Sequence, residues 1–463
     1  MNQFRTRCSN VPRCAALVAV LLWPWSGTAR AADAVTYWND KVIGVTIAGG
    51  RSNQETGVAA AYMHIAIYDA ISSIDGRFRP FLTRVANVPP GASPEAAAAE
   101  AAYTILAYLY PTASFSAIAS QFAAAHNDAL NAVPNGQAKT DGMAVGLAAA
   151  NGLIAKRQND GFRANVPYTF LPLAAGVYQK TPGADGTIAT YAGPAAPWMA
   201  KFKPLAIRSV DQFRVDGPPP LDSEEWEENF NEVKNFGAAS TFPNSRSAEQ
   251  EEIGLFYGLI NAQLQVGRNL RKLAQDQNLT LDLADNARFF AQAYVTMSDA
   301  ITGCWESKYH FNFWRPVTAI QHADIDGNEE TNADPIWMPQ IVTPVHPEWP
   351  SAHGCVTSAY ANAIAKFFGT KRLPGGITLT GATGHPDRHF DSTDDIVKEI
   401  IDARVYNGVH YRTSVVQGAK LGRQVARWVA KFYFQPVDDD DDHPRGRKED
   451  DDSPHGRKDR QDR

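Results

Sequence analysis

The stretch LDLADNARFFAQAYVTMSDAITGCWESKYH, residues 281–310, decides the fold. Its apolar residues recur every three or four positions, which predicts one long helix with a core stripe around Ala291 to Ala300 and Met297. Working outward, the same spacing predicts helices over Thr56 to Ile71, Pro94 to Leu109, Ser116 to Ala132, Gly142 to Arg157, Ser247 to Asp276, Ser351 to Phe368 and Asp391 to Tyr406. Strand-like alternation is scarce. The aromatic-rich, Gly- and Pro-rich segment from Pro167 to Pro220 is expected to wrap the helices as a long ordered loop. The fold class is therefore all-α: helical bundles with long ordered loops, one domain over residues 32–437 built from two helical halves.

Both ends read differently. Arg5, Arg7 and Arg13 precede the apolar run Ala15 to Trp25 and the small-x-small site Ala29-Arg30-Ala31, so residues 1–31 read as a secretory signal peptide and the protein as periplasmic or secreted. Without an Arg-Arg pair, the general secretory route is expected over twin-arginine export. Residues 438–463 hold aspartate runs and the similar pieces His443 to Lys448 and Ser453 to Lys458, and are expected to form a solvated, disordered tail. Losing Arg5, Arg7, Arg13 and Arg30 takes the net charge of -6 to about -10, which argues against nucleic acid as a partner. No later stretch holds the roughly 20 uninterrupted apolar residues of a membrane span. Cys8 and Cys14 leave with the signal, so Cys304 and Cys355 remain as one disulfide or two buried thiols.

Three segments carry chemistry. In Lys308-Tyr-His-Phe-Asn-Phe-Trp-Arg315-Pro316, two cations stand seven residues apart, close to two helical turns, so one helix face can present both to an anion before the helix stops or bends at Pro316. The aromatic surroundings predict burial, and a buried cation needs an anionic partner. In His346-Pro-Glu-Trp-Pro350-Ser351-Ala-His353-Gly354-Cys355, Ser351 is an N-cap whose following amides can face an anion, with His353 beside it for proton transfer. In Arg404-Val-Tyr-Asn407-Gly408-Val-His410, the six-residue spacing puts the two side chains on different helix faces unless Asn407-Gly408 breaks the helix and lets them converge.

Taken in this order, K-x6-R-P, P-S-x-H and R-x5-H resemble the vanadium-dependent haloperoxidase and type 2 phosphatidic-acid phosphatase superfamily, in particular its bacterial haloperoxidase-like branch. The stretches Ala61 to Ala70, Phe311 to Ile320, Thr343 to Pro350 and Arg388 to Ser392 carry the resemblance further, so that it runs from about Thr56 to about Val429. It implies that Lys308, Arg315, Ser351, Ala352 through its amide, Arg404 and His410 hold vanadate, that His410 ligates vanadium, and that His353 is the acid-base residue. Lys308 would polarise peroxide. The implied reaction oxidises halide with hydrogen peroxide to a hypohalous acid equivalent, which halogenates a small organic acceptor. Two alternatives share the scaffold: an exported acid phosphatase with phosphate ester as substrate, His410 as nucleophile and His353 as general acid, and a non-catalytic oxyanion-binding protein. Relatives of this type also suggest a homo-oligomer, with the apolar part of Ser116 to Ala125 as an interface.

Departures from the family pattern are Ala352 for glycine, Ala403 for serine and Ser414 for an aspartate that orients the nucleophilic histidine in phosphatases. The last tilts the reading toward the peroxidase. Trp305, His346, Trp349 and Phe390 are expected at the pocket wall or halide neighbourhood, with Arg388 beside Phe390 at the entrance. His346 resembles bromoperoxidases there and Trp305 resembles chloroperoxidases. The loop His385 to Asp391 and the run Asp324 to Glu330 have some look of metal sites, but read better as a rim loop and a solvated turn.

Overall fold

A computed structural model describes residues 33–183, 186–188 and 193–437. The signal and tail assignments lie outside the described residues. Thirteen α-helices, three short 3-10 helices and one short hairpin, β1 (Ile377–Leu379) with β2 (Arg388–Phe390), make up the regular structure among them.

Two helical bundles carry the fold. The first contains α1 (Ala34–Ala48), α2 (Asn53–Asp75), α3 (Pro94–Leu109), α4 (Thr112–Asn131) and α5 (Gln137–Arg157). The second is built on α9 (Leu283–Phe311), α11 (Ala352–Phe368), α12 (Thr393–Tyr406) and α13 (Arg412–Phe432). Between them in sequence come α6 (Glu224–Phe236), α7 (Ala248–Gly258) and α8 (Ala262–Asp276), while α10 (Pro316–Gln321) follows α9. The bundles meet where α2 packs on α9, with the His64 ring stacked on Tyr294 at 4.9 Å. α2 is long and apolar enough to cross a membrane by length and composition, yet it is the buried core helix of this contact.

The two bundles repeat one design. Asp69 of α2 is fully buried and accepts the amides of Phe81, Leu82 and Thr83. Asp299 of α9 is fully buried and accepts those of Leu205, Ala206 and Ile207. The tied loops have related sequences, Phe78-Arg-Pro-Phe-Leu-Thr83 and Phe202-Lys-Pro-Leu-Ala-Ile207. Ser93 caps α3 as Ser351 caps α11. A Cβ at Gly142 would stand 2.2 Å from the Ser93 carbonyl, and one at Gly418 would stand 2.6 Å from the Ser351 carbonyl. One turn on, Gly146 and Gly422 crowd the carbonyls of Ala97 and Cys355 in the same way. Each glycine pair thus lets a long helix press its backbone against the first turn of a serine-capped one. The copies differ in chemistry: offset by the spacing of the twin aspartates, Phe78 and Val85 stand where the second bundle has Lys308 and Arg315.

Several elements depart from expectation. The helix predicted over Ser247 to Asp276 is two, because Asn261 caps α8 by accepting the amides of Gln263 and Leu264. The apolar residues of α4, Ile118, Phe122 and Ala125, are buried in the chain's own core, so that stripe is not a free interface. Asp326 is tied up by Trp226 Nε1, Thr331 Oγ1 and the Asn328 amide, and no group of metal-ligating side chains is found among the described residues.

Candidate oxyanion site

Lys308 and Arg315 do meet, but not on one helix face. α9 ends at Phe311 because Asn312 takes the left-handed conformation (φ 48°), and Arg315 is the N-cap of α10, with Pro316 at its first position. The break at Asn312, not helical periodicity, sets where the guanidinium stands relative to the ammonium, close enough for its charge to bear on it. Both side chains are fully buried. Lys308 Nζ donates to the carbonyls of Pro347 (3.0 Å), Glu348 (2.8 Å) and Pro350, so all three of its hydrogens are engaged. Burial holds this ammonium down at about 8. Arg315 donates to the carbonyls of His346 and Val409 at 2.8 Å each, to His346 Nδ1 at 2.9 Å and to His410 Nε2 at 3.3 Å.

Ser351 caps α11 as expected, its hydroxyl accepting the Gly354 amide. The first-turn amides of Ala352 and His353 have no carbonyl four residues back within the helix to accept them. His353 is half-buried and opens onto a cavity; burial and the cations Arg404, Lys308 and Arg315 push its imidazole well below the usual range, so it stands neutral.

The break at Asn407-Gly408 is present: α12 stops at Tyr406, Gly408 has φ 74°, and Arg404 stands close enough to His410 to bear on its imidazole. A neighbour that sequence reasoning missed fixes His410. Glu348, buried between the histidine and tryptophan of the His346 to Pro350 segment, accepts the His410 Nδ1 proton at 2.7 Å and the Tyr411 amide at 3.3 Å. Nδ1 therefore carries the proton and Nε2 presents its lone pair beside Arg315. Glu348 supplies the orienting carboxylate that Ser414 lacks, so that departure no longer weighs against phosphohistidine chemistry. Burial raises the Glu348 carboxyl to about 7, and burial together with Arg315, Lys308 and Arg404 holds the His410 imidazole well below its usual range.

Among the described residues, Arg404 is the cluster cation with unpartnered guanidinium nitrogens: the residue is 1% exposed, its Nε and Nη1 have no hydrogen-bond partner there, and no carboxylate pairs with it. Burial, with Arg315 adding to it, lowers it to about 9. A buried, unpaired guanidinium is costly unless something neutralises it. A tetrahedral oxyanion fits that need: two guanidiniums, an ammonium, helix-start amides and the Nε2 lone pair of His410 form the donor set such an anion takes.

Beside the cluster lies a cavity of about 380 Å³ reached by Trp305, His346, Ala352, His353 and His410. Trp305 and His346 are thus at its wall as expected, their rings 4.9 Å apart. Trp349 and Phe390 are not. The Trp349 ring is turned away, donating to the Asp216 carbonyl and packing on Phe313, and Phe390 is buried on β2. Arg388 pairs with Glu399 and Glu249, and His385 with Glu252; neither lines the cavity, so Arg388 is not at the expected entrance and this loop is not at the expected rim. Cys304 and Cys355 are buried free thiols hydrogen-bonded to each other, with Cys304 also donating to the Pro350 carbonyl; no disulfide joins them.

The chain is a double helical bundle whose second half carries a buried cation cluster beside an oriented imidazole. Residues 288–439 match the VCPO second helical-bundle domain. A vanadium chloroperoxidase of Curvularia inaequalis is 23% identical over 285 residues, 47% of this chain and 45% of that protein, so the match spans under half of the relative's length. In fold, the chain is similar to the first bacterial vanadium-dependent iodoperoxidase (TM-score 0.73, 22% identity, 88% of this chain and 98% of that one). It is also similar to a holo-type bacterial vanadium-dependent chloroperoxidase (TM-score 0.61, 16% identity, 82% and 92%). The chain shares the fold of these vanadium haloperoxidases, and its residues 288–439 match their second helical-bundle domain.

Proposed function

We propose that the chain is a vanadate-dependent haloperoxidase that oxidises halide with hydrogen peroxide. The observation that carries this reading is Arg404, a buried guanidinium that no carboxylate among the described residues pairs with. Bound among these residues, vanadate would supply a Lewis acid that activates peroxide toward halide without changing its own oxidation state.

The chain's own residues do the rest. Arg404 and Arg315 neutralise the oxyanion, and the amides at the start of α11 donate to it. His410, held by Glu348, offers Nε2 as the ligand atom. His353, neutral and open to the cavity, takes and returns the proton exchanged between peroxide and water. Lys308 contributes charge from behind the 347–350 turn; a direct contact with a ligand oxygen requires it to release one of its three carbonyls. Export through residues 1–31 to the periplasm or exterior is part of the same proposal.

The Glu348–His410 pair also favours a second reading, an acid phosphatase in which Nε2 attacks phosphorus and His353 protonates the leaving alcohol. The test is bromide and iodide oxidation by phosphate-stripped protein before and after orthovanadate, with p-nitrophenyl phosphate hydrolysis alongside. Halide oxidation that appears only with vanadate supports the haloperoxidase. Vanadate-inhibited ester hydrolysis without halide oxidation overturns it in favour of the phosphatase.

A further inference from the structure

The cavity beside His353 and His410 has a chemistry of its own. Its body is apolar, formed by Met297 and Ile301 of α9, the Trp305 ring and Val356 of α11. Its far rim carries neutral amides: Gln54 from the start of α2 and Gln263 from the start of α8. Gly57 makes the room for this rim, since a Cβ there would stand 2.9 Å from Gln263 Nε2. Ser298 on the wall has a buried hydroxyl with no hydrogen-bond partner. Among the lining residues there is no Asp, Glu, Lys or Arg, although three buried cations stand just behind the floor. At about 380 Å³ the cavity falls in the size range of small-molecule sites.

We infer that this cavity binds the organic acceptor, a neutral ring-sized molecule of the aromatic alcohol class, so that halogen transfer takes place on a bound substrate. The inference rests on the haloperoxidase reading for the source of the halogen. An apolar body surrounds the ring, and amide and hydroxyl groups serve its single polar substituent; a cation would meet no carboxylate here, and with an oxyanion already neutralising the three cations behind the floor an anion would gain no counterion either. In the transfer, a ring carbon takes the halogen from hypohalous acid. The carbon–halogen bond forms, the oxygen–halogen bond breaks, and the displaced ring proton joins hydroxide to leave as water.

Isothermal titration of vanadate-loaded protein with 2-naphthol, without peroxide or halide, reads the cavity directly. Saturable binding of one molecule per chain is expected, at least tenfold weaker in Ile301→Trp and in Val356→Phe, which fill the cavity from α9 and α11. Orthovanadate uptake by each variant shows that its oxyanion site is folded. No saturable heat with the wild type, or unchanged affinity in folded variants, overturns the inference. Triiodide formation from iodide and peroxide, measured with no organic present, separates the two readings. If triiodide is made but 2-naphthol does not bind, the cavity inference alone falls; if 2-naphthol binds and vanadate gives no triiodide, the acceptor role falls with the haloperoxidase reading.

Discussion

Glu348 Oε1 lies 2.7 Å from His410 Nδ1 across 62 residues of sequence, both side chains buried, and this contact sets which nitrogen of His410 faces the oxyanion site. Glu348→Gln keeps the shape but replaces the anionic acceptor with a neutral amide. Loss of such a supporting partner typically costs about 10- to 100-fold in metal affinity or activity. The expected result is a fall of that size in vanadate-dependent halide oxidation together with an altered pH profile, read by initial rates. Glu348→Ala, which frees the ring, is expected to fall further.

Arg404 gives effects of opposite sign on stability and binding. With no anion bound, the buried guanidinium opposes folding, so Arg404→Met is expected to raise the melting temperature of phosphate-stripped protein. Wild type should gain about 2.7 kcal/mol from an oxyanion at a hundred times its dissociation constant. Arg404→Met should lose most of that gain. Differential scanning fluorimetry with and without orthovanadate measures both.

Lys308 is expected to make oxyanion binding depend on pH. With the ammonium near 8 in the free protein, a bound anion favours the charged form, so binding above about pH 8 takes up a proton. Affinity is therefore full below pH 8 and is lost as pH rises, by up to tenfold per unit. Molybdate, which does not titrate between pH 7 and 10, is the suitable probe for calorimetry. In Lys308→Gln affinity should be lower at pH 7 and nearly flat from 7 to 9.

Asp69 and Asp299 do the same work in the two bundles, each collecting three loop amides. Replacing either by alanine strands those buried donors, at about 1–3 kcal/mol for an unsatisfied group. Comparable destabilisation of several kcal/mol in Asp69→Ala and Asp299→Ala is expected in urea unfolding. Asp299→Ala should also weaken oxyanion binding, because α9 carries Lys308.

The helical bundle was legible because local signals carry it: apolar spacing marked the long helices, Ser351 announced a cap, and Asn407-Gly408 announced a break. Where a short-range rule had to place a distant side chain, it failed. Lys308 and Arg315 suit one helix face by count, but Asn312 ends the helix between them. Glu348 could not be matched to His410 because nothing local marks a contact across 62 residues. Trp349 and Phe390 sit in the right stretches, yet their direction depends on the Asp216 carbonyl and on the pleat of a three-residue strand. α13 went unpredicted although Val415, Leu421, Val425 and Val429 line its buried face, and its Gly418 and Gly422 break the apolar count where the backbone must approach α11.

The most direct test of the oxyanion pocket is calorimetric titration of phosphate-stripped wild type and of His410→Ala with orthovanadate at pH 7. One saturable site per chain in the wild type, at least tenfold weaker in His410→Ala, is the expected result. No saturable binding to folded wild type, or equal affinity in the two proteins, would contradict the assignment of this cluster as the vanadate site.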